Sequence, residues 1–142
     1  MKIVLLDAIT FGDTDLNCFE KFGEVDIFEA TIPTLTQVRI KDADVIVTNK
    51  VVITKEHMQN AKNLKLICVA ATGTNNVDLV SAKELGIEVK NVAGYSTDSV
   101  IQHTFSMLFY LVGHARYYDE FVKSSAYSKS EIFTDIGHPF FE

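Results

Sequence analysis

Five short apolar runs, Ile3–Leu6, Val25–Phe28, Val45–Thr48, Leu66–Ala70 and Ile87–Val92, are each closed by a turn or helix signal. Short β-branched runs of this kind fit strands buried on both faces, the usual condition of parallel strands. Parallel neighbours cannot be joined by a tight turn, so the segments between them must carry crossovers. Helix-compatible stretches stand there: Asp15–Phe22, a short one near Thr36–Lys41, Lys55–Ala61 and Val77–Leu85. The alternation predicts an α/β chain, a wound parallel five-stranded sheet with helices on both faces.

The best-specified junction is Leu79, Ala82 and Leu85 at steps of three, followed by Gly86 and at once by the fifth strand. Glycine there supplies the left-handed residue that stops a helix. After the fifth strand, Ala93-Gly94-Tyr95 turns the chain, and Ser96 or Thr97 can cap a helix running as far as Val122. A helix that long leaves its own domain. Ser124–Ser128 reads as loop, and the tail Ile132–Glu142, with Gly137, Pro139 and three Phe, reads as a connection. The expected division is residues 1–95, a long helix over 96–125 and a connection over 126–142.

A net charge of -6 with no basic run argues against a nucleic-acid partner. Two separated cysteines, Cys18 and Cys68, make neither a disulfide framework nor a zinc site, and the first residues show no export leader, so a cytoplasmic setting is expected. The apolar stretch Val100–Val112 is interrupted by Gln102, His103, Thr104 and Ser106 and is too short for a membrane span, so it reads as a buried helix.

Ligands of open α/β sheets bind outside the carboxyl ends of strands. Two stretches fall there. In Ala70–Asp78, Gly73 frees the backbone, and successive N–H groups with the Thr72 hydroxyl outline a cradle for a carboxylate. The same residues also suit a tight turn in which Asn75 or Asn76 caps the following helix. In Thr48-Asn49-Lys50-Val51, Lys50 offers charge and the Asn49–Val51 backbone offers donors, although a lysine after a strand is most often simply solvated. His103 has no acid at helical spacing, Asp98 being five residues back, and reads as a core residue. His57, His114 and His138 have no metal-ligand spacing, so no metal is expected. No two glycines stand two residues apart, which leaves out both the dinucleotide fingerprint and the phosphate loop.

Thr72-Gly73-Thr74-Asn75-Asn76-Val77-Asp78, then Ala82 through Ser96, then Val100-Ile101-Gln102-His103-Thr104-Phe105, resembles the D-2-hydroxyacid dehydrogenases over essentially the whole chain. The Thr48-Asn49-Lys50 strand end and Gln102-His103-Thr104-Phe105 are most similar to the glycerate dehydrogenase and hydroxypyruvate reductase branch. The resemblance implies a flavodoxin-like substrate domain. It works with a Rossmann domain whose NADH, or NADPH, delivers hydride to C2 of a 2-oxo acid. It also implies that the Thr72-Gly73 backbone binds the substrate carboxylate, that Asn49, Lys50 and Val51 line the same pocket, and that Thr104 and Val100 touch the nicotinamide end. The family's catalytic Arg, Glu and His correspond to positions after Glu142, so none is assigned here and His103 is not the catalytic one. Gln102 departs from the Glu of much of the family, which bears on the substrate more than on the class. A fragment of this kind is expected to be inactive alone.

Two other classes stay open. A receiver-like signalling module shares the architecture, but it needs an acid at the end of the third strand, where Thr48-Asn49-Lys50 stands, and further acids after the first, where there is only Asp7. An interaction protein would pair two copies through the long helix.

Overall fold

The computed structural model describes residues 1–129 together with Glu131, Ile132 and Asp135. It divides into two compact units, Met1–Tyr95 and Ser96–Glu142.

The first unit is a five-stranded sheet of β1 (Lys2–Leu5), β2 (Glu24–Ile27), β3 (Val45–Thr48), β4 (Leu66–Val69) and β5 (Glu88–Asn91). The strands lie in the order β2-β1-β3-β4-β5, and every pair is parallel. The expected strands are all present, with ends within a residue or so of those read from the sequence.

Alternate residues of β1 serve opposite faces. Val4 and the following Leu6 join Ile46, Ile67 and Val69 under α1 (Pro33–Ile40), α2 (Lys55–Asn60) and α3 (Leu79–Glu84), which contribute Ile40, Met58 and Ala82. Ile3, Leu5 and Val47 face the other way, toward Phe11 and toward Leu16 and Phe19 of a 3-10 segment, Leu16–Phe22. Both faces are thus covered, but unequally. Leu5, Leu6, Ile40, Ile46 and Ile67 are wholly buried, and each such side chain contributes about 1.5–3 kcal/mol relative to exposure.

Local chemistry explains most element ends. Pro33 starts α1 three residues before the expected Thr36, because its fixed φ suits the first helical position. Thr54 and His57 form a reciprocal capping box at α2. Gly86 adopts φ 69°, the left-handed stop expected after α3. Asp78 rather than Asn75 or Asn76 caps α3, accepting from the Ser81 N–H at 3.0 Å and its hydroxyl at 2.7 Å. These bonds, the backbone one first, hold the Asp78 carboxyl below its ordinary range. Asp78 takes the cap because Val77, one residue earlier, is tied into a bridge with Ile53.

The second unit departs from expectation. The helix expected to reach Val122 is in two pieces, α4 (Thr97–Val112) and α5 (Ala115–Lys123). Gly113 ends α4 and His114 stands at φ 49°, a left-handed residue that no continuous helix accommodates. Ser96 stands at the cap position without a side-chain bond. A short helix, α6 (Ala126–Lys129), replaces the loop expected at Ser124–Ser128. Every residue of α4 is exposed, His103 included, so neither the buried helix nor the core histidine is found. A continuous apolar stretch specifies the need for a cover and not its source. The connection expected beyond Ile132 lies almost entirely outside the described residues. Among the described residues no helix is long and apolar enough to cross a membrane.

Gly23 joins the 3-10 segment to β2 at φ 155°, and a Cβ there would stand 2.0 Å from the Met1 carbonyl oxygen. That oxygen accepts the Glu24 N–H that starts the β1–β2 ladder. Gly23→Ala is therefore expected to lower stability by about 2 kcal/mol or more, read from urea unfolding. An unchanged midpoint would contradict this packing.

Candidate functional site

Parallel pairing puts the carboxyl ends of all five strands on one edge, and the strand order reverses direction between β1 and β3. That reversal is where ligands of wound sheets bind. A hollow of about 480 Å³ opens there, lined by Asp7, Ile9, Thr31, Lys50, Val51 and His57 among others.

Asp7 follows β1 and is only 4% exposed. Its carboxylate accepts the Asn49 N–H at 3.0 Å, the Lys50 N–H at 2.6 Å and the Thr48 hydroxyl at 3.3 Å. The Thr48 oxygen in turn accepts the Val51 N–H at 3.1 Å. The three backbone donors expected to face a ligand from Asn49–Val51 are therefore already used inside the protein. A carboxylate buried next to free N–H groups captures them, since either partner left alone would lose its hydration uncompensated. What this loop presents is side chains. Lys50 is exposed, with no carboxylate paired to its ammonium among the described residues, and Asn49 Oδ1 is buried without a hydrogen-bond partner among them.

The Asn49–Val51 loop is stitched to the loop after β4. Asn76 Nδ2 donates to the Val51 carbonyl at 3.1 Å, the Ile53 N–H to the Asn76 carbonyl at 2.8 Å, and the Asp78 N–H to the Ile53 carbonyl at 3.1 Å. At the turn itself, Asn91 Nδ2 donates to the Thr72 carbonyl at 2.6 Å and the Thr72 hydroxyl donates to the Val92 carbonyl at 3.3 Å. The hydroxyl is thus directed to the end of β5 rather than into a cradle. Among the described residues, the Thr72 and Gly73 N–H groups have no acceptor, and both residues are exposed. These two N–H groups are among the backbone donors of this turn that stay open. They do not line the hollow that Lys50 and Val51 face.

Val100 and Thr104 lie one turn apart on α4, both exposed, with the Thr104 hydroxyl donating to the Val100 carbonyl at 2.8 Å. They belong to the second unit. Among the described residues no cluster of His, Cys, Asp and Glu is arranged to hold a metal. Cys68 is half-buried on β4, where loss of hydration pushes its thiol pKa up, and Cys18 is exposed; both are free.

Sequence reasoning passed over Asp7 as a ligand-loop residue. Its partners are 41 to 43 positions away, and only the β1–β3 pairing brings them together. The one available signal was an acid directly after the first strand.

A parallel sheet in the order 2-1-3-4-5, with its strand ends gathered on one edge, defines an α/β unit of the wound class. Residues 3–138 match the family model of the D-isomer specific 2-hydroxyacid dehydrogenase, catalytic domain. The chain belongs to that family. A hydroxypyruvate reductase of Blautia hydrogenotrophica is 33% identical over 147 residues, covering 100% of this chain and 46% of the relative. An NAD-dependent formate dehydrogenase from Staphylococcus aureus, solved in complex with NAD, superposes with a TM-score of 0.68 at 30% identity over 88% of this chain and 41% of that one. An acyclic imino acid reductase solved with NADPH and D-Arg gives a TM-score of 0.81 at 24% identity over 99% of this chain and 44% of that one. The chain thus spans less than half the length of each of these proteins.

Gly73 has no left-handed backbone, and a Cβ on it would meet only the movable Asn75 Oδ1, at 2.9 Å. Gly73→Ala is therefore expected to change the unfolding free energy by no more than about 0.5 kcal/mol. A several-fold larger loss in urea unfolding would show that the turn itself requires glycine.

Proposed function

We propose that this chain is the substrate-binding part of an NAD(P)-dependent D-2-hydroxyacid dehydrogenase that reduces small 2-oxo acids, with hydroxypyruvate and glyoxylate as the first candidates. The observation that carries the reading is the pair of open N–H groups at Thr72 and Gly73, at a strand's carboxyl end, in a turn tied to Asn91 and Val92 through Thr72 and to Val51 through Asn76. Two adjacent backbone donors match the two oxygens of a carboxylate. The Lys50 ammonium adds positive charge at the same edge, and Asn49, whose Oδ1 is buried and unmet, precedes it in the same turn. Val51 supplies an apolar wall beside them.

Nothing in this constellation moves a proton at the reacting carbon. Its contribution is positioning, which turns an encounter into a near-attack arrangement and supplies much of an enzyme's acceleration. A bound nicotinamide would supply the hydride. The chain carries no G-x-G-x-x-G run to hold the dinucleotide's phosphates, so cofactor binding falls mainly to a Rossmann domain, with Val100 and Thr104 of α4 as this chain's contacts at the nicotinamide end. The acid–base groups likewise come from that domain. Two free cysteines suit a cytoplasmic setting.

NADH consumption with hydroxypyruvate and with glyoxylate tests the reading. The chain alone is expected to give none, and the chain joined to a Rossmann domain of the same family is expected to turn over both. A joined protein that binds NADH yet reduces no 2-oxo acid would overturn the assignment.

The apolar face of α4 suits pairing with a second copy, since Ile101, Phe105, Phe109 and Val112 share one side of the helix and are 49%, 50%, 67% and 51% exposed. Sedimentation over a range of concentrations is expected to show a dimer. A monomer throughout would remove that proposal and leave the catalytic one standing.

A further inference from the structure

We propose that Asp7 is a positioning residue for the substrate site, a role resting on the function proposed above. Its carboxylate sits beneath the turn that carries Asn49 and Lys50, 4% exposed, and takes both of their N–H groups and the Thr48 hydroxyl. With the Val51 N–H held by the same hydroxyl, four consecutive residues are fixed through one acid. Two of these bonds are charge-assisted bonds from backbone N–H groups, the strong kind, made where water competes poorly.

The consequence is a division of labour along the sheet edge. The β3 turn points its Asn49 and Lys50 donors inward onto Asp7 and its Val51 donor onto Thr48, and offers the ligand side chains, that of Lys50 foremost. The β4 turn keeps its Thr72 and Gly73 donors open. Without the acid, the β3 turn would have two or three N–H groups to satisfy. It would then either admit water beneath itself or rotate its peptides outward, where they would carry the Lys50 ammonium away from the edge. The strain would pass to the β4 turn through the Asn76–Val51 bond. Asp7 therefore acts on substrate through Lys50 and Asn49 and touches nothing that reacts.

Asp7→Asn keeps the shape but replaces one accepting oxygen with a donor that faces N–H groups. The test uses the chain itself, 15N-labelled, titrated with hydroxypyruvate, with Ile40→Val or Ile40→Ala as the control, whichever matches the loss of stability. Ile40 is wholly buried at the end of α1 and does not line the hollow. The expected result is about a tenfold weaker apparent Kd in Asp7→Asn, with faster amide exchange at Asn49 and Lys50, and neither change in the control. Should Asp7→Asn fail to fold, Thr48→Val removes the brace from its other partner at nearly constant volume and is expected to act in the same direction. If wild type binds and Asp7→Asn weakens binding no more than the control does, Asp7 is a residue of the fold alone and the proposal is overturned. If wild type shows no shift at Thr72, Gly73 or Lys50, the substrate reading itself fails and takes this role with it.

Discussion

Parallel pairing is the constraint on which the rest of the first unit depends. Because each strand runs the same way, every return must cross a face of the sheet, and the crossovers supply the helices that bury Val4, Leu6, Ile46 and Ile67. The same geometry collects the five carboxyl ends on one edge, leaving their turns side by side. A site there needs no further architecture, only turns whose polar groups are arranged against one another. Asp7, Thr48 and Asn76 provide that arrangement: Asp7 ties the end of β1 to the β3 turn, and Asn76 ties the β3 turn to the β4 turn.

The distribution of backbone donors gives the edge its character. Buried N–H groups seldom go unpaired, and the three at Asn49–Val51 are met by Asp7 and Thr48. Those at Thr72 and Gly73 stand on exposed residues and have no acceptor among the described residues. The two turns thus differ in what they present, one side chains and the other main chain.

Much of this was legible in residue order. Strand positions followed from apolar runs, and Gly86 stopped α3 as its place after Leu85 implied, since both are local effects. The candidate site was legible in position but not in its bonding. Thr72-Gly73 and Asn49–Val51 stood out by their place after strands, but the fate of their donors did not, and Asn75 and Asn76 looked like caps until Asp78 was seen in that role. Gly113 lay within a helical pattern as a tolerable residue, and nothing short of the left-handed His114 marks the break after it.

The sequence by itself determined the class of fold, because hydrophobic periodicity and turn residues act over a few positions and specify strand, helix and junction without reference to distant parts of the chain. Its ordered motifs also determined the family. Tertiary structure alone decided which polar groups are spent and which are open. Asp7 meets Asn49 and Lys50 only because β1 and β3 are neighbours in the sheet, and a hydrogen bond depends on separation in space, to which a gap of some forty residues in the chain is no guide.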